Sequence, residues 1–159
     1  MSKKLYNAGH SAEIFLENNK NIHLTSFDIG EHHYTKIGKK FIYSKYKNRH
    51  TFILGNSIET VPKYIKKRNK KLFDLIYIDG GHDYEIAKQD LHNCSFLAHK
   101  DTIVILDDTN TNPHFMKYWQ KGPTKAWYNA KKKYKIYEIG SLNFPPNHGI
   151  SYGKYLFRS

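Results

Sequence analysis

Residues 73–84 read FDLIYIDGGHDY, and this stretch decides the fold. Phe73, Leu75, Ile76, Tyr77 and Ile78, preceded by Leu72, form a nearly unbroken apolar run of strand length. It carries the β-branched and aromatic residues that suit a strand buried on both faces. The run stops at Asp79, Gly80-Gly81 turns the chain, His82 and Asp83 follow, and a helical pattern begins at Tyr84. A buried strand that delivers a carboxylate to its C-terminal tip, then a turn and a helix, is how open α/β sheets build a ligand crevice. The competing explanation is that Asp79 only caps its turn. One such tip would leave that explanation ahead, but the chain has three.

Working outward, Ile22 to Phe27 alternates into a strand that ends at Asp28, and Thr102 to Leu106 is an apolar strand that ends in Asp107-Asp108. Upstream, Gly9-His10-Ser11 precedes a helical face of Ala12, Phe15 and Leu16. Tyr34, Ile37, Phe41 and Ile42 predict a second amphipathic helix. Thr51 to Leu54 is a short strand closed by Gly55-Asn56-Ser57, and a third helix is expected from about Thr60, with Pro62 in its first turn. A fourth helix shows Tyr84, Ala87, Leu91 and Cys94 on one face. Thr111 to Pro123 reads as loop, with Pro113, Gly122 and Pro123 as breakers. A helix over Thr124 to Lys133, a strand over Tyr134 to Ile139, a turn at Pro145-Pro146 and a strand over Ile150 to Phe157 complete the chain.

Strands alternating with helices imply an α/β fold with a doubly wound, mostly parallel sheet. Right-handed crossovers bring all parallel C-termini to one edge, so Asp28, Asp79, Asp107 and Asp108 are expected on a common rim. The final two strands, joined without a helix, should pair antiparallel.

At 159 residues, with 39% apolar and 15% aromatic content, a single folded domain spanning 1–159 is expected. One cysteine, Cys94, excludes an intramolecular disulfide, and its helical position favours packing over nucleophilic chemistry. No apolar run approaches membrane-spanning length and the first residues, MSKKLYNAGHS, lack a secretory core, so a cytoplasmic protein without a membrane partner is expected. The net charge is +12, and all but three of the 26 basic residues are Lys. Such a surface attracts anions, nucleic acid included, but Arg is the preferred residue for bidentate phosphate and base recognition. A solvated lysine-rich surface explains the charge as well.

Asp28, at a strand tip, can accept hydrogen bonds from ribose hydroxyls. Asn56-Ser57 can meet an adenine edge, and the Gly9 turn lets a ligand approach the positive end of a helix. Asp79, Asp107 and Asp108 together invite a hard cation with oxygen ligands, typically Mg²⁺. His82 is either a general base or a loop histidine capping the next helix. Cys/His spacing for zinc and the phosphate-cradling glycine motifs are absent from the sequence.

Taken together, N-A-G-H-S-A at 7–12, F-D-I-G at 27–30, G-N-S at 55–57, residues 73–84 and I-V-I-L-D-D-T at 103–109 resemble class I S-adenosylmethionine-dependent methyltransferases. The similarity is to the small O-methyltransferase-like group with D-G-x-H and D-D-T motifs, members of which occur in bacteria and large DNA viruses. The resemblance implies a Rossmann-like fold with an antiparallel last strand. It also implies cofactor contacts from Asn7, Ala8, Gly9, Asp28, Asn56, Ser57 and Asp79, and Mg²⁺ ligation by Asp79, Asp107 and Asp108, as in catechol-type relatives. His82 and Asp79 are then the candidate catalytic residues. The family's first strand, of the type E-I-G, has no counterpart before Asn7 except Lys3 to Tyr6, so that strand is expected to be short or missing.

The reading that follows is S-adenosylmethionine-dependent methyl transfer to a hydroxyl of a small molecule or sugar, with Mg²⁺ assistance. A basic nucleic-acid-binding module, or a shortened relative without catalysis, is the alternative. Self-association into a homo-oligomer stays open.

Overall fold

In a computed structural model, residues 9–67, 71–133, 135–144 and 148–157 are described. Asn7, Ala8, the stand-in strand Lys3 to Tyr6 and the Pro145-Pro146 turn lie outside them. The chain divides into two compact units, one ending at Lys63 and the other beginning at Tyr64.

The first unit holds α1 (His10–Asn18), β1 (Leu24–Asp28), α2 (His33–Lys45), β2 (His50–Leu54) and most of α3 (Ser57–Ile65). β1 and β2 are parallel, with Leu24 opposite His50 and Asp28 opposite Leu54. Ala12 and Leu16 of α1 meet Ile42 and Tyr46 in the core, joined by Ile22, Leu24 and Phe52. Burying each large apolar side chain of this kind is worth about 1.5–3 kcal/mol. Arg49 closes α1 from outside, donating to the carbonyls of Leu16 (3.1 Å) and Asn19 (3.0 Å), which lack helical partners.

Two expectations are corrected here. The buried stripe of α2 is Thr35, Gly38 and Ile42, while Ile37 and Phe41 are 66% and 47% exposed. The spacing 35, 38, 42 is helical as well, and Ile42 is the residue that the expected and observed faces share. Helix α3 starts at Ser57 rather than Thr60, because the Asn56 carbonyl accepts from Glu59 (3.0 Å) and Thr60 (2.8 Å) and its side chain accepts from Ile58 (3.1 Å). Pro62 therefore sits inside the helix. Its missing N–H costs the bond to the Ile58 carbonyl.

The second unit holds β3 (Phe73–Ile78), α4 (Tyr84–Ser95), β4 (Ala98–Asp107), a 3₁₀ turn (Tyr118–Gln120), α5 (Lys121–Lys132), β5 (Ile136–Phe144) and β6 (His148–Tyr155). Its sheet has the order β3-β4-β6-β5. β3 and β4 are parallel, and β6 runs antiparallel to both β4 and β5, as the hairpin-like end predicts. Ile76, Ile78, Val104, Leu106, Ala87, Leu91, Ala126, Trp127 and Tyr155 are buried in its core. Tyr155 donates to the Leu91 carbonyl of α4 (2.9 Å), and Trp127 of α5 donates to Glu138 of β5 (2.5 Å). Trp127 is thus a core residue.

β3 is not buried on both faces. Ile76 and Ile78 are buried, Tyr77 is half-buried and Leu75 is exposed. The reason is that α4 and α5 of this unit both pack on the Val104 side of the sheet. Several boundaries also differ, among them β6, which runs His148–Tyr155 rather than Ile150 to Phe157, and β1, which begins at Leu24 rather than Ile22. β4 begins at Ala98 rather than Thr102, β5 runs to Phe144 rather than Ile139, and α5 begins at Lys121 with Gly122 and Pro123 inside its first turn. First-turn N–H groups have no helical acceptor, so proline is tolerated there. Among the described residues no helix is long and apolar enough to cross a membrane.

Candidate functional site

The parallel pairing of Ile78 with Leu106 makes β3 and β4 end together, so Asp79 and Asp107 leave the sheet at the same edge. Asp108 follows in the left-handed region, at φ 53°, a conformation that costs about 1–3 kcal/mol for a residue with a side chain. It is held there from behind. The Thr109 N–H donates to the Gly149 carbonyl (3.0 Å), and the Thr109 hydroxyl lies 2.8 Å from that of Ser151. The Asn110 N–H donates to Thr124 (3.0 Å), and the Asn110 amide donates to buried Gln120 (3.2 Å).

Asp79, Asp107 and Asp108 each offer one carboxylate oxygen, all within 4.8 Å of one another. Both oxygens of Asp107 are engaged. One accepts from the Asp108 N–H (2.8 Å) and the other from the Tyr77 hydroxyl (2.6 Å). Burial, then the bond to Asp107, holds the Tyr77 phenol well above its ordinary pKa. The His82 ring reaches Asp108, Nε2 to Oδ2, at 2.8 Å. The other Asp108 oxygen is buried with no hydrogen-bond partner among the described residues.

Asp79, His82, Asp107 and Asp108 border one small cavity together with Gly80, Gly81, Pro123 and Asp90. Asp90, on α4, is a buried carboxylate that apolar periodicity does not single out. Its signal was there: an acid three residues after Ala87, on the face assigned to the core. Pro123 belongs to the first turn of α5, which lies close against the His82 segment. A Cβ on Gly122 would stand 2.0 Å from the His82 carbonyl oxygen. Only glycine lets the two backbones meet there.

In the first unit Asp28, Asn56 and Ser57 lie at or just beyond strand ends, and Gly9 stands at the start of α1. Asp28 closes β1, is buried, and accepts from the Gly30 N–H at 2.6 Å. The Gly55 N–H donates to the Asp28 carbonyl (2.8 Å), which ties the ends of β1 and β2 together. Asn56 and Ser57 then open α3. Gly9 precedes α1 with φ 91°, a backbone that favours glycine, and its carbonyl accepts the first helical bond from Glu13 (2.8 Å).

Each unit therefore has candidate residues where parallel strands end, Asp28 in the first and Asp79 and Asp107 in the second, the position at which class I S-adenosylmethionine-dependent methyltransferases work. The family described as Methyltransferase domain matches residues 6–109, and the chain belongs to it. Solved structures agree on the fold. An O-methyltransferase from Bacillus cereus, in complex with S-adenosylhomocysteine, superposes with TM-score 0.73 at 13% identity, over 95% of this chain and 71% of that one. A candidate caffeoyl-CoA O-methyltransferase from Staphylococcus aureus gives TM-score 0.74 at 17% identity, over 95% and 73%. A TDP-rhamnose 3′-O-methyltransferase of calicheamicin biosynthesis gives 0.68 at 17%, over 94% and 68%. Among curated proteins no sequence matches.

Proposed function

We propose that this methyltransferase moves the methyl group of S-adenosylmethionine to a hydroxyl of a small molecule or sugar, with a divalent cation held by Asp79, Asp107 and Asp108. The observation that carries the reading is the joining of His82 to this acid cluster through Asp108. The donor set suits a hard cation: three carboxylates each offer an oxygen within 4.8 Å of the others, and Asp108 also has a buried oxygen with no hydrogen-bond partner among the described residues. When bound, such an ion supplies charge that favours an ionised acceptor oxygen.

The chain's own residues do the rest. With Nε2–H given to Asp108, the His82 ring keeps Nδ1 as a proton acceptor. The acceptor oxygen forms its bond to the methyl carbon as the carbon–sulfur bond breaks, and the hydroxyl proton passes to His82. The sulfur leaves as a neutral thioether, so charge and atoms balance. Asp28 is the group that would hold the ribose, and Asn56 with Ser57 the adenine edge. Gly9, with Asn7 and Ala8, would lie beside the methionine part. The acceptor class is supported by what the solved neighbours are named for, small molecules and a nucleotide sugar.

Calorimetric titration with S-adenosylhomocysteine tests the cofactor, and transfer of labelled methyl to a panel of phenolic and sugar hydroxyls, with and without Mg²⁺, tests the reaction. Binding that Asp28→Ala abolishes, and label in an ether product, are the expected results. No heat at millimolar ligand would overturn the reading.

A further inference from the structure

We infer that Tyr77 is a positioning residue for the cation site, holding Asp107 in the orientation that lets it act with Asp79 and Asp108. The inference rests on the cation reading above.

Tyr77 sits in β3 directly opposite Ile105 of β4, and Asp107 lies two residues further along β4 on the same face. The side chain thus runs diagonally across the sheet, a separation aromatic residues can span. Its hydroxyl ends 2.6 Å from Asp107 Oδ2. The opposite oxygen of that carboxylate is 2.8 Å from the Asp108 N–H. A carboxylate gripped at both oxygens has no freedom to rotate, yet each oxygen keeps a lone pair for a cation. A phenol hydroxyl is an uncharged donor, so it leaves the charge of Asp107 intact. Two effects then compete. The hydrogen bond drains some basicity from the ligand oxygen, which weakens its bond to a cation. It also removes the cost of fixing the carboxylate. Partners that orient metal ligands are typically worth about 10–100-fold in affinity, so orientation is expected to win.

The test is Mn²⁺ binding to the whole chain, followed by loss of the free-ion electron paramagnetic resonance signal, with no methyl donor or acceptor present. Tyr77→Phe keeps the ring and removes only the donor. Asp107→Asn reports on the ligand itself, and Tyr137→Phe, on an exposed tyrosine of β5, is the control. A 10-fold or greater loss of Mn²⁺ affinity in Tyr77→Phe, with thermal unfolding of the metal-free protein near that of the parent and Tyr137→Phe unchanged, supports the inference. Equal or tighter binding in Tyr77→Phe, while Asp107→Asn still weakens it, overturns the role of Tyr77 and leaves the cation reading standing. An absence of Mn²⁺ binding by the parent protein overturns both.

Discussion

His82 Nε2 lies 2.8 Å from Asp108 Oδ2, across 26 residues of chain, and the imidazole and the strained aspartate hold each other in the lining of one cavity. The pairing orients the ring and sets which nitrogen carries the proton. Replacing His82 by Asn should lower kcat by about 10²–10⁴-fold, the usual worth of a positioned general base, with the dissociation constant for S-adenosylhomocysteine unchanged. Steady-state kinetics beside calorimetry will show it. An equal loss in cofactor affinity would assign the ring to binding instead.

Asp28 grips its own turn through the 2.6 Å bond from the Gly30 N–H. Asp28→Asn retains an oxygen acceptor but loses the charge. A hydrogen bond to a charged group is worth about 1.5–3 kcal/mol, so urea unfolding should report a loss of that order or less. Affinity for the cofactor should fall at least 10-fold, read by calorimetry.

Gly122 meets the backbone of the His82 segment, where an added Cβ would be 2.0 Å from a carbonyl oxygen. A methyl there has nothing flexible to displace. Gly122→Ala should lower stability by about 1–3 kcal/mol and reduce activity with it. By contrast, Gly80→Ala would meet the Asp90 side chain at 2.7 Å, which can turn aside. Thermal melts of the two variants should therefore rank Gly122→Ala as the more damaging.

His50 is buried beside Ser26, its Nε2 3.0 Å from the hydroxyl. Burial, with smaller contributions from His23 and Lys39, lowers its pKa from 6.5 to about 4. The folded state thus prefers the neutral ring, and between those values the unfolded chain binds more protons. The stability this contributes is complete above pH 6.5, is lost as pH falls, and is gone below about 4. At 1.36 kcal/mol per unit the loss approaches about 3 kcal/mol. Urea unfolding at pH 7.5 and pH 5 should show a larger drop for the parent than for His50→Gln.

Much of the architecture was legible because it is written in local periodicity. The run to Asp79, the run to Asp107 and the alternation to Asp28 each announce a strand that stops at an acid, and each was found as such in the fold. Helix faces were less legible. In α2 the apolar Ile37 and Phe41 point outward while Thr35 and Gly38 are buried, because a helical spacing fits more than one face and only packing selects between them. In α5 the pair Gly122-Pro123 read as a break, whereas the first turn of a helix accepts both. Asp90 is not legible as a site residue because an acid at a core-facing helix position breaks the apolar periodicity that marks that face.

The sequence by itself determined the order of strands and helices, the acid at the end of three strands and the kinship to methyltransferases, because these depend on residues adjacent or nearly adjacent in the chain. Only the tertiary structure decided that His82 turns to Asp108, that Tyr77 and the Asp108 N–H share Asp107 between them, and that Gln120 and Ser151 brace the loop behind. The contacts of His82, Tyr77 and Ser151 join segments far apart in the chain, and their geometry follows from strand register and from which side chains the packed core leaves room for, neither of which a linear pattern records.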